Sequence, residues 1–253
     1  MDRTHVVEPT KPHAYTVIIL HGRDSTAEEF ASEFFESQAS DDQTLPELFP
    51  EIKWVFPNSG ELPSLRFEQN ISQWFDMWSV ESPSGNPELQ VEGLRESITY
   101  VEEVIIREAQ LVPMDRIFLA GISQGCATAI YALLNLDAKL AGFVGLCSWL
   151  PFRDSVHGIC ERTRLPAERL LEIRKLLGAT DACLETAALS TPVFLAHSED
   201  DDVVPIRNGE ALRDGLVELG MEMEWHAYGD GGHWVNEPKG IDDIVGFIRR
   251  AML

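Results

Sequence analysis

The sequence predicts an α/β fold, a mostly parallel sheet with helices on both faces. Two observations carry this expectation. Short continuous apolar runs, rich in Val, Ile, Leu and Phe, alternate along the chain with segments whose apolar residues recur every three or four positions. The runs are apolar throughout rather than at every second residue, so each is expected to be buried on both sides, as strands of a parallel sheet are. A third observation concerns chemistry: several runs end in loops dense in Gly, Ser, His and Asp.

In chain order, residues 1–14 are polar and read as a loose lead-in. Tyr15 to Leu20 is a strand that runs into His21-Gly22-Arg23-Asp24-Ser25. Glu28 to Ser37 is a helix with Phe30, Phe34 and Phe35 on its apolar side. Lys53 to Phe56 is a second strand, closed by Pro57-Asn58-Ser59-Gly60. From Glu61 to Gln90 there is little regular pattern, apart from the aromatic patch Trp74-Phe75-Asp76-Met77-Trp78. An irregular stretch of that length in a compact domain is often functional. Val91 to Gln110 is a helix, because Val91, Leu94, Ile98, Val101 and Ile105 share one side. Ile117 to Ala120 is a strand and Cys126 to Leu134 a helix. Leu140 to Leu146 is the next strand. Arg153 to Thr191 is a long connection, helical from Glu168 to Leu177. Pro192 to Ala196 is a strand, Asn208 to Leu219 a helix, Met223 to Tyr228 a strand and Gly240 to Met252 the last helix. Repeats, low-complexity tracts and linkers are absent from the pattern. Residues 1–253 therefore read as one domain, with 153–191 as an insertion or lid.

The 253 residues carry 20 basic and 42 acidic side chains, a formal charge of −22. A field of that sign repels phosphate backbones and anionic lipid surfaces, which argues against nucleic-acid binding. Solubility is its simplest meaning. Of four cysteines, Cys126 and Cys147 lie in apolar surroundings and are expected to be buried thiols. Pairing of Cys160 with Cys183 is left open. The cysteine spacing suits neither zinc nor a dense disulfide framework. No apolar run reaches the roughly 18–20 residues of a membrane span, and no apolar leader follows Met1. Stable membrane insertion is not expected, and a cytoplasmic location is the default.

The chemistry centres on Gly121-Ile122-Ser123-Gln124-Gly125, between a strand and a helix. This is the context of a nucleophile elbow, a sharp turn that presents a serine hydroxyl. Such a hydroxyl needs a base, and the base an orienting acid. In α/β hydrolases the three follow in the order Ser, Asp, His, each after a later strand. His233 follows the last strand, in Gly231-Gly232-His233, and is the candidate base. Asp200, Asp201 and Asp202 all follow the strand ending at Ala196, and spacing alone does not choose among them. Two backbone N–H groups must hold the oxyanion. One is expected from Gln124, the residue after the nucleophile, and the other from Arg23 in the loop after the first strand. His21 reads as a structural histidine of that loop. Trp74, Phe75, Trp78 and Trp149 are candidates for an apolar acyl pocket, Trp74 and Trp149 first.

These motifs together resemble the acyl-protein thioesterase, or phospholipase/carboxylesterase, family of α/β hydrolases. The resemblance rests on Leu20-His21-Gly22, Phe56-Pro57-Asn58, Trp74-Phe75-Asp76, Gly121-Ile122-Ser123-Gln124-Gly125, Ser148-Trp149-Leu150-Pro151, Asp201-x-x-Val204-Pro205 and Gly232-His233. They occur in family order along nearly the whole chain. The resemblance implies an α/β-hydrolase fold, with Ser123 as nucleophile, His233 as base and Asp201 as acid. It implies a carboxylic ester or thioester hydrolase that forms an acyl-enzyme and uses neither a metal nor an organic cofactor. Small esters, lipids and acylated proteins are the substrates it suggests. Alternatives are a lysophospholipase or small-ester carboxylesterase without acyl-protein activity and, from another class, a non-catalytic ligand receptor. The chain departs from the family at Asp24, where a second glycine is usual, at Cys126, and in the length of 153–191.

Overall fold

The computed structural model describes residues 4–178 and 185–253. Its strands are β1 (Thr4–Val7), β2 (Tyr15–Leu20), β3 (Ile52–Pro57), β4 (Glu61–Ser64), β5 (Gln69–Ser72), β6 (Ile117–Ile122), β7 (Gly142–Leu146), β8 (Val193–Ser198) and β9 (Met223–Tyr228). Seven of them form one sheet in the order β1-β3-β2-β6-β7-β8-β9, and β4 pairs with β5 in a separate hairpin. β1 runs antiparallel to β3, and the other neighbours in the large sheet are parallel.

The continuous apolar runs are explained by helices on both faces. Successive strand residues point to opposite sides. Ile18 and Leu20 of β2 therefore enter one core while Val17 and Ile19 enter the other; on β6, Ile117 and Leu119 separate likewise from Phe118, Ala120 and Ile122. The first core is closed by α3 (Glu88–Glu108), α4 (Gln124–Asn135), α5 (Arg153–Arg162), α6 (Pro166–Leu176) and α7 (Ile206–Glu218). The second is closed by α1 (Ala27–Phe34), the one-turn α2 (Leu45–Leu48) and α8 (Lys239–Ala251). On α8 the inward stripe is Ile241, Ile244, Val245 and Ile248, all buried. Full burial of each such side chain stabilises by about 1.5–3 kcal/mol. None of the described helices is long and apolar enough to cross a membrane.

Several expectations need correction. The polar lead-in contains β1, an edge strand of four half-buried residues too short to show a pattern. The stretch 61–90 is not structureless: β4 and β5 occupy its first part, but their residues are largely exposed and polar, so no alternation marks them. The connection 153–191 holds a second helix, α5, besides the expected one; Val156 and Ile159 are its buried apolar residues, too few to set a period. None of its described residues lines the cavity outlined below. Arg153 of α5 donates to Glu218 and to Ala211 O, and Arg169 of α6 donates to Glu218 O, so both helices are clamped to α7. The open question of a Cys160–Cys183 pair falls on residue 183, outside the described residues.

Candidate active site

The sequence motifs meet at the carboxyl ends of the parallel strands. β2 leads into the 21–25 loop, β6 into Ser123, β8 into the turn carrying Asp201, and β9 into the loop carrying His233. β3 lies on one side of β2 and β6 on the other, so the chain reverses its direction of travel across the sheet there. A crevice at such a switch point is where open α/β sheets bind ligands.

Ser123 has φ 54° and ψ −126°, a conformation that side chains ordinarily avoid. Its backbone is locked on both sides. Ser123 N–H donates to Leu146 O at 2.9 Å, and Ser123 O accepts from Ala127 N–H at 3.1 Å and from Ser148 Oγ at 2.7 Å. The flanking glycines permit close approach. A Cβ on Gly121 would lie 2.6 Å from Cys126 N, and one on Gly125 would collide with the carbonyl oxygens of Leu20 and His21. The start of α4 can therefore press against the end of β2.

Asp201 is the aspartate that meets the histidine. His233 Nδ1 lies 2.8 Å from Asp201 Oδ2, while Asp201 Oδ1 accepts from the N–H groups of Val203 and Val204 at 2.9 and 2.8 Å. Asp200 does a different job, accepting from Gly232 N–H at 2.8 Å and so holding the histidine loop; Asp202 is exposed. Burial of Asp201 opposes its ionisation. The donors around it, His197 and His233 above all, outweigh that and hold its carboxyl well below the ordinary aspartate range. The Cys147 thiol lies beside this pair and donates to Trp234 O at 3.2 Å; burial keeps it protonated by pushing its pKa far up.

Ser123 and His233 line one cavity of about 210 Å³, together with Gly22, Arg23, Phe30, Val80, Ile122, Val203 and Trp234. The oxyanion candidates flank it. A Cβ on Gly22 would lie 3.5 Å from Ser123 Cβ, so this loop runs directly beside Ser123. Among the described residues, neither Arg23 N–H nor Gln124 N–H has an acceptor. The loop is held from behind. His21 is fully buried, accepts Ser59 N–H on Nε2 at 3.2 Å and so donates from Nδ1 to Gly22 O at 2.7 Å; burial lowers its pKa. Asp24 donates its N–H to Ser72 O at 2.8 Å. Its φ of 65° is the left-handed conformation that a glycine in its place would take freely. The Arg23 guanidinium packs over the Phe67 ring at 5.3 Å, with Asp24 3.7 Å from its Nε.

Trp74 and Trp149 do not line this cavity, which corrects the expectation that they form the acyl pocket. Trp74 is completely enclosed. Its indole N–H donates to His21 O at 2.9 Å, its ring lies 5.1 Å from that of His21, and its backbone N–H donates to Gln124 Oε1 at 2.8 Å. Gln124 Nε2 donates in turn to Phe75 O at 2.8 Å. Trp74 thus braces both oxyanion candidates from beneath. Trp149 is 2% exposed and borders a different cleft, with Pro83 and Asn208. The apolar wall beside Ser123 comes instead from Phe30, Val80, Val203 and Trp234. The place of Trp234 next to His233 is a local signal for it; nothing local marks Val80 or Val203.

The comparisons agree with this architecture. The profile of the phospholipase/carboxylesterase family matches residues 1–186. An acyl-protein thioesterase 1 from Gibberella zeae is 29% identical over 247 residues, which span 95% of this chain and 92% of that protein. One from Yarrowia lipolytica is 29% identical over 220 residues, 85% of this chain and 83% of its own. The crystal structure of Zea mays acyl-protein thioesterase 2 superposes with a TM-score of 0.75 at 23% identity, covering 100% of both chains. That of esterase PE8 superposes with a TM-score of 0.67 at 20% identity, over 98% of this chain and 97% of its own. At those identities the two structures bear on the fold, which is that of the α/β hydrolases. With a family profile matching most of its length, the chain belongs to the phospholipase/carboxylesterase family.

Proposed function

We propose that this ester and thioester hydrolase works through Ser123 as nucleophile, His233 as base and Asp201 as the orienting acid. The observation that carries the reading is the 2.8 Å contact from His233 Nδ1 to Asp201 Oδ2, in a cavity that His233 shares with Ser123. With Nδ1–H committed to Asp201, Nε2 is the nitrogen left to accept a proton. Ser123 Oγ attacks the acyl carbon while His233 Nε2 takes its proton. Arg23 and Gln124 N–H donate to the developing oxyanion; each such donor contributes about 10²–10³ in kcat. The tetrahedral adduct collapses, and imidazolium gives the proton to the departing alcohol or thiol. A water deprotonated by His233 then attacks the acyl-enzyme, releasing the acid and restoring Ser123.

The relatives named acyl-protein thioesterases support an acylated protein as the leaving group's source, and a cytosolic location goes with such substrates. Buried thiols at Cys126 and Cys147, unpaired among the described residues, suit that reducing compartment. A second reading, a small-ester carboxylesterase, is favoured by the cavity. Its 210 Å³ is smaller than the roughly 300–1,000 Å³ of sites for drug-sized ligands, and it accommodates a short acyl group more readily than a long one.

The test combines a fluorophosphonate probe with Ser123→Ala and a nitrophenyl ester. The wild type should be labelled at Ser123, and the variant should lose at least about 10³-fold in kcat. A folded Ser123→Ala protein that keeps its activity sinks the mechanism; an unreactive Ser123 favours a non-catalytic receptor. A series of acyl chains, as esters and as thioesters, separates the two substrate readings.

A further inference from the structure

A second histidine touches Asp201. His197, at the end of β8, is 1% exposed and does not line the cavity. Its Nε2 lies 2.8 Å from Val204 O and 3.1 Å from Asp201 Oδ2, the same carboxylate oxygen that faces His233. Both neighbours of Nε2 are acceptors, so Nε2 carries the proton. The other ring nitrogen, Nδ1, is buried without a hydrogen-bond partner among the described residues. It is sealed by Gly209, where any Cβ would collide with it. A proton on Nδ1 would be an orphaned donor against that wall. The packing therefore selects one tautomer, whose Nε2–H goes to Val204 O with the Asp201 carboxylate beside it.

We infer that His197 is a positioning residue for the Asp201–His233 pair: its Nε2–H ties Val204 O, in the turn that carries Asp201, back to β8, and so sets Asp201 Oδ2, 3.1 Å from that nitrogen, where it receives the proton of His233. The inference rests on the triad reading above. Asp201 Oδ1 then has two donors, the Val203 and Val204 N–H groups, and Oδ2 faces His233 Nδ1 at 2.8 Å with His197 Nε2 3.1 Å away. Val203, Val204 and His197 all belong to β8 and its own turn. They fix the carboxylate plane without help from His233, whose side chain is 21% exposed and sits on a different loop. His197 also bonds Val204 O, so the turn that carries Asp201 is stitched back to the strand that launches it. A catalytic base gains most when its partner is already in place. Beyond the two histidines, the titratable group beside this carboxylate is the Cys147 thiol, which in turn feels Asp200.

The test uses His197→Phe, which removes the donor, and His197→Gln, whose Nε2 stands in for the imidazole Nε2–H. With a nitrophenyl ester, His197→Phe should lower kcat about 10–100-fold with KM within about twofold, because the cavity wall is untouched. His197→Gln should recover most of that loss. Gly209→Ala, which removes no polar atom, should shift kcat in the same direction as His197→Phe. In the wild type, nitrogen NMR should show His197 as the Nε2–H tautomer. Wild-type kcat in His197→Phe, equal losses in the Phe and Gln variants, or an Nδ1–H tautomer would each overturn the inference. Should His197→Phe not fold, the Gln variant and the tautomer decide. Failure of the triad itself reads differently: the wild-type enzyme would then resist the fluorophosphonate, while the His197 tautomer could still be measured.

Discussion

Replacing Ser123 by glycine should stabilise the protein while abolishing its chemistry. The residue sits at φ 54° and ψ −126°, and its N–H and C=O are both hydrogen-bonded, so the backbone cannot relax out of that conformation. A non-glycine residue held in such a region costs on the order of 1–3 kcal/mol. Glycine removes the clash but adds roughly 0.4–1 kcal/mol of unfolded-state entropy. The fair reference is Ser123→Ala, which also lacks the hydroxyl but keeps the Cβ. Ser123→Gly should then be more stable than Ser123→Ala by about 1 kcal/mol. For a chain of this length that is a rise of roughly 2–4 °C in Tm. Urea unfolding of the two variants, with equal m values, measures it. A glycine variant less stable than the alanine variant would refute the claim that the elbow stores strain, and with it the reason for this turn's shape.

Two other predictions concern the neighbouring loops. Asp24→Gly should fall within about 0.5 kcal/mol of wild type, since relief at φ 65° and added chain entropy nearly cancel, whereas the β-branched Asp24→Val should cost about 1–2 kcal/mol; equal stabilities for the two variants would contradict this account of the 21–25 loop. The depressed pKa of Asp201 adds stability that is fully present above the unfolded aspartate value, near about 3.9, and is lost as pH falls toward the folded one. The stability advantage of wild type over Asp201→Asn should therefore shrink as pH is lowered from 6 to 3, and an advantage independent of pH in that range would count against the donor network.

Much of this protein is legible in the order of its amino acids. Runs such as Ile117-Phe118-Leu119-Ala120 announce strands buried on both faces, because only a sheet sandwiched between helices makes every residue of a strand apolar. The order of Ser123, Asp201 and His233 along the chain points to their chemistry, because each must leave the carboxyl end of a different strand. Edges and surfaces are less legible: β1, β4 and β5 are short and partly wet, so no apolar period betrays them. What the tertiary structure alone decided is distance and burial. Spacing does not choose among Asp200, Asp201 and Asp202, the Asp-x-x-Val-Pro resemblance points to Asp201, and only the fold shows it 2.8 Å from His233. Trp74 looks like pocket lining in the sequence, yet it braces the 21–25 loop from within the core, since an aromatic side chain serves either role and only its neighbours choose. His197 carries no signal beyond being a histidine at a strand end. Its meaning comes from Gly209 and Asp201, a glycine and a carboxylate that only the fold brings against one ring.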